Sequence, residues 1–178
     1  MKMSIRHAAG AAALLSLSQP AMAQGTPCVQ PADFADAVTY AIPMMMQSAQ
    51  TSCAETLAAD SYVMSEGDAF ASRFTALQDQ SWPGAKRFLM TFVESDATTK
   101  AMGAMLGELD DETLRPFVDG IVSAKIAEDI KPATCASIEK ILPLVAPLPA
   151  ENYGQLLVTV MELTGKTGAD LKLCPVAQ

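Results

Sequence analysis

The sequence predicts an all-α fold: a single-domain helical bundle of about six helices, stapled by disulfides and without β-sheet. Three observations carry this. Apolar residues recur every three or four positions through most of the chain, no window alternates apolar and polar residues between hairpin-type turns, and the four cysteines form an even set. No internal repeat divides the chain, and a length of 178 residues suits one domain with an adequate core.

The first 23 residues have the layout of a secretory signal peptide. Lys2 and Arg6 precede an apolar run from Ala8 to Leu17, and Gln19-Pro20 leads to the small-residue site Ala21-Met22-Ala23. The expected domain is therefore 24–178, exported from a bacterial cell to the periplasm or beyond. The apolar run is about half of the roughly 20 residues that a spanning helix needs, and no later stretch is long enough, so no stable membrane insertion is expected. Cys28 follows Gly25-Thr26-Pro27 rather than a lipoprotein box. Loss of the leader removes the sole histidine, His7, and makes the formal charge of −8 two units more negative.

Beyond a coil with Pro27 and Pro31, Phe34, Val38, Ala41, Ile42 and Met45 mark one face of a first helix over about 33–47. Asp33 lies in its first turn, and Pro43 predicts a kink or break. Ser52-x-x-Glu55 has the capping-box pattern and predicts a second helix from Cys53 towards Met64. A third helix follows Ser65-x-x-Asp68, with Phe70, Phe74 and Leu77 on one side. Gln80-Ser81-Trp82-Pro83-Gly84 reads as a turn, because a residue before proline disfavours helix and glycine permits unusual angles.

Ala85, Phe88, Leu89, Phe92 and Val93 form the next helix, interrupted near Ser95-Asp96 before Met102, Met105, Leu106 and Leu109 resume the stripe, with Gly107 near its end. Asp110-Asp111-Glu112 then opens a helix that continues to Ile130. Finally, Lys131 to Cys174 reads as two antiparallel helices joined through Pro147 and Pro149. Pro132 opens the first, which carries Ile138, Ile141, Leu142 and Val145. Tyr153, Leu156, Leu157, Val160, Met161 and Thr164 line the second until Gly165 stops it. This hairpin is the expected centre of packing.

Cys28, Cys53, Cys135 and Cys174 read as two structural disulfides in an exported chain, since no Cys-x-x-Cys spacing suggests redox or metal chemistry. Of three connectivities, Cys28–Cys53 with Cys135–Cys174 is preferred. Cys135, at the start of one hairpin helix, would meet Cys174 beyond the end of the other. The crossing pattern, Cys28–Cys174 with Cys53–Cys135, is the competing arrangement.

Without histidine in the exported chain, Ser-His-Asp and Cys-His nucleophiles and zinc-protease helices are excluded. No basic cluster suits nucleic acid, and no Gly-rich loop suits phosphate. The acidic Asp110-Asp111-Glu112 lacks the order of a calcium loop and suits a helix N-terminus. The consecutive Met44, Met45 and Met46 point in three directions on a helix and cannot converge on one metal ion. Gly103-x-x-x-Gly107 favours close helix packing, and Trp82 is expected to close one end of the core. No cofactor, metal or catalytic residue is assigned.

The expected role is therefore non-enzymatic protein binding, as an envelope adaptor or stress holdase. The alternative is a carrier of an apolar small molecule or lipid in a cavity between helices, lined by residues such as Met45, Met105 and Leu157.

Overall fold

The computed structural model describes residues 28–95, 99–164 and 172–175; the expected leader and Gly165 lie outside them. Among the described residues there are seven α-helices: α1 (Pro31–Cys53), α2 (Tyr62–Thr75), α3 (Gln78–Ser95), α4 (Lys100–Gly107), α5 (Asp111–Asp129), α6 (Pro132–Val145) and α7 (Asn152–Thr164). The β-type pairing among them is one isolated parallel bridge, Val29 with Leu173, closed by hydrogen bonds from Val29 N to Lys172 O and from Cys174 N to Val29 O. The fold is all-α.

Packing is organised around α1, not around the α6–α7 hairpin. α1 contacts α2, α3, α5, α6 and α7, whereas direct contact between α6 and α7 is slight and centres on Tyr153 against the end of α6. The reason lies in the α1 sequence, which carries two apolar stripes. Tyr40 and Met44, one turn apart, join Trp82, Ala85, Leu106, Leu114 and Val118 in one buried cluster. Ile42, Met46 and Ala49 join Val63, Phe70, Phe74, Leu142 and Tyr153 in another. A helix apolar on two sides belongs between layers. Met45 faces out between these stripes and is half-exposed, so the single face drawn through Met45 is corrected to two faces through its neighbours.

α1 also runs unbroken past Pro43 to Cys53. The lost hydrogen bond at one proline is outweighed by burial on both sides. Ala54–Ser61, where the capping box predicts a helix, is a succession of turns. α2 begins after Ser61, whose hydroxyl makes no capping bond. The cap comes from α6 instead: Glu139 accepts hydrogen bonds from Tyr62 N (2.8 Å) and Val63 N (3.0 Å). A carboxylate 77 positions away thus satisfies the free amides.

The expected turn at 80–84 is likewise helical. The α2–α3 corner falls at Ala76-Leu77, and α3 continues through Trp82-Pro83-Gly84. Burial of Trp82 against Tyr40 (ring centroids 5.2 Å apart) overrides the pre-proline bias. Gly84 serves close approach rather than turning, since a Cβ there would lie 1.9 Å from Asp36 Oδ2 and 2.6 Å from Asp36 Cβ. Gly154 does the same for α7, because its Cβ would meet the Ala35 carbonyl oxygen at 2.2 Å.

The disulfides are Cys28–Cys174 and Cys53–Cys135, so the preferred pairing is corrected to the crossing one. α1 extends to Cys53 and delivers it, fully buried, to the start of α6, while the Val29–Leu173 bridge sets Cys28 beside Cys174. The hairpin therefore has no staple of its own. Arg73 holds its connection from outside, donating to the carbonyls of Ala146 (2.6 Å) and Leu148, and the Tyr153 hydroxyl donates to Val145 O.

Candidate functional site

Two surfaces differ from the rest of the molecule. The first is a cleft of about 510 Å³ between α1, the α2–α3 corner and α5, lined by Tyr40, Gln78, Asp79, Asp111, Glu112, Arg115 and Asp119 among others. Asp110 N-caps α5 by accepting from Thr113 N at 2.8 Å, and this bond to the backbone holds its carboxyl below the usual range. The cap fixes the first turns of α5, so Arg115 projects over both the Tyr40 ring (5.6 Å) and the Trp82 ring (5.2 Å). Its guanidinium pairs with Asp79 at 2.7 Å. Desolvation opposes the Arg115 charge, but bonds to Asp79 and Tyr40 outweigh it and raise its pKa.

Tyr40 donates to Asp119 Oδ1 at 2.7 Å, and burial followed by that carboxylate pushes the phenol up to about 12. Lys86 pairs with Asp111 at 2.7 Å and is the main cause of its lowered pKa, with the Trp82 indole second. That indole N–H is buried and does not meet hydrogen-bond geometry with any described group. The cleft thus sets the paired charges of Asp79, Arg115, Lys86 and Asp111 over a buried aromatic pair. A phenol held neutral is no nucleophile at ordinary pH, and Asp79, Asp111 and Asp119 each already have a partner.

Among the described residues, no group of three or more His, Cys, Asp or Glu side chains is disposed to hold a metal ion. Met44 and Met46 are buried in opposite clusters while Met45 faces out, as three consecutive helical positions require. Gly103 and Gly107 pack against α3, where Cβ atoms would lie 3.2 Å from Val93 and 3.4 Å from Met90.

The second surface is apolar. α7 turns Tyr153, Gly154 and Val158 inward but leaves Leu156, Leu157, Val160 and Leu163 exposed; beside it, the last turns of α6 leave Ile141 and Leu144 exposed. Half of the apolar seam expected between α6 and α7 therefore faces outward. Gly154 explains which face won: only a glycine admits the α1 backbone so closely, and it draws α7 in by that side.

Met45, Met105 and Leu157 lie on α1, α4 and α7, all partly exposed, and α4 packs chiefly on α3. The structure does not gather them into one site. Sequence reasoning assigned no role to Arg115, Glu139 or Arg73. Their tertiary partners lie tens of residues away, and nothing local marks them.

No family model matches the chain, and no curated protein or solved structure is significantly similar to it. Two formed disulfides are what an oxidising compartment maintains, and among the described residues no helix is long and apolar enough to cross a membrane.

Proposed function

We propose that this chain is a non-enzymatic binding protein, exported to the bacterial periplasm or beyond, that engages another polypeptide as an envelope adaptor does. The surface it uses is the uncovered face of α7 and the adjoining end of α6. One observation carries the reading: Leu156, Leu157, Val160 and Leu163 form a continuous stripe on α7 that the rest of the described chain leaves exposed. Monomeric proteins rarely leave contiguous apolar patches beyond a few hundred Å² uncovered unless they bind something there. In the acidic cleft Asp79, Asp111, Arg115 and Asp119 each already have a partner, which leaves the apolar face as the surface better suited to a second polypeptide.

The test is a photo-reactive residue at Leu156 in intact cells, compared with one at Glu55, an exposed position in the α1–α2 turns. A discrete polypeptide adduct at Leu156 and none at Glu55 is expected. Adducts with lipid alone would favour the apolar-carrier reading, and the absence of any adduct at Leu156 would sink the proposal.

A further inference from the structure

The apolar face of α7 is suited to one partner in particular. Leu156, Val160 and Leu163 are spaced by four and then three residues, the repeat with which one helix packs along another. A seven-residue span centred near Val160 is also self-complementary. A two-fold axis between Thr159 and Val160 sets Leu156 against Leu163 of the partner subunit and brings the two copies of Val160 to within about one residue of each other along the crossing. Glu162 is the sole residue of α7 charged at neutral pH. It lies about 200° round the helix from Val160, off the stripe.

Charge bears on the choice of partner. A chain with formal charge −8 repels its own copies wherever acids face one another, and this stripe carries no acid. Area agrees. Leu156, Leu157, Val160 and Leu163 are each 43–82% exposed. Taking roughly 200 Å² for a fully accessible side chain of this size, they offer about 400 Å² of apolar surface, about half of the roughly 800 Å² that each side of a standard interface contributes and close to the apolar share of such an interface.

We infer that the polypeptide engaged by this face is a second copy of the chain, giving a two-fold homodimer in which the α7 helices cross antiparallel near Val160. This rests on the binding role assigned to the same face and names its occupant.

The experiment uses protein made from the full reading frame, with any processing left to the cell. Sedimentation equilibrium from low to high micromolar concentration is compared for the parent chain and Val160→Asp. Val160 is partly exposed and outside both core clusters, so the variant is expected to keep its far-ultraviolet circular dichroism. A dimer is expected for the parent, with its association weakened about 100-fold or more by an aspartate facing its own copy in the interface. A photo-reactive group at Leu163 should then link to the Leu156 region of a second chain.

A parent that stays monomeric throughout, or a dimer unmoved by Val160→Asp, overturns the inference. If the parent is monomeric while Leu163 links to a different protein, the homodimer fails and the binding role stands. A link from Leu163 to residues 1–27 of the same chain removes both.

Discussion

The two flanks of α1 are closed by different means. On the flank of α2 and α6, Phe70, Phe74 and Tyr153 meet edge to face or tilted at 4.9–5.7 Å, and a fully buried disulfide, Cys53–Cys135, ties the end of α1 to the start of α6. On the flank of α3 and α5 no disulfide crosses. There the helices approach until Gly84 touches Asp36, and the aromatic pair Tyr40–Trp82 is covered by Arg115 and the carboxylates around it. A covalent tie tolerates a pliable seam, whereas an untied seam has to be tight and depends on charge. The first flank should answer to reductant and the second to pH and to added bulk.

The largest expected effect is on the tied flank. Replacing Cys53 and Cys135 together with serine frees a loop of 82 positions, for which chain entropy gives about 4 to 5 kcal/mol. For a protein of this size the melting temperature should fall by about 10 °C or more in a thermal circular dichroism scan. The Cys28–Cys174 loop is longer, at 146 positions, but entropy alone separates the two by only about 0.5 kcal/mol. Packing should decide: Cys28→Ser with Cys174→Ser unties arms that lie outside every helix and should shift the midpoint less. Equal shifts would mean that the arms matter as much as the core, and the contrast between flanks would lapse.

Glycines probe the seams more finely. A Cβ at Gly84 meets Asp36 at its own Cβ, close to the backbone of α1, whereas a Cβ at Gly67 meets the far ends of Gln50 and Met46 at 2.8 and 3.0 Å. Gly84→Ala should therefore cost about 1–3 kcal/mol in urea unfolding by forcing α1 and α3 apart. Gly67→Ala should cost far less, because those side-chain ends can move aside and alanine gains up to about 1 kcal/mol of helix propensity. The reverse order would show that the α1–α2 seam is the rigid one.

The smallest effect concerns the ionic layer. Tyr40 has its phenol raised from 10.0 to about 12 in the folded chain. A raised pKa means that folding favours the neutral form. That contribution is fully present below pH 10 and is lost as pH climbs through about 12. Tyr40→Phe should cost on the order of 1 kcal/mol at neutral pH, from the lost bond to Asp119. It should also remove the highest-pH step from the tyrosinate absorbance titration and flatten the alkaline fall in stability. An unchanged titration would mean that Tyr40 is not the phenol held neutral there.

Much of this molecule was legible in the sequence. Helical periodicity fixed the all-α class, because a 3.6-residue repeat is a property of neighbours along the chain. It also placed α5 behind its acidic cap and α6 behind Pro132, and the divergence of Met44, Met45 and Met46 followed from 100° steps alone, although which of them faces out did not. Other features depended on residues far apart in sequence. Burial of Trp82 kept Trp82-Pro83-Gly84 helical, and Glu139 started α2 where the local capping box at Ser52 did not. The reach of α1 to Cys53 chose the disulfide partners. The α7 stripe makes the same point: Leu156, Leu157, Val160 and Leu163 mark a face, but spacing does not say what covers it. Only the close approach of Gly154 to Ala35 turned another side of α7 inward and left this one open, since packing selects among apolar faces by which of them lets two backbones meet.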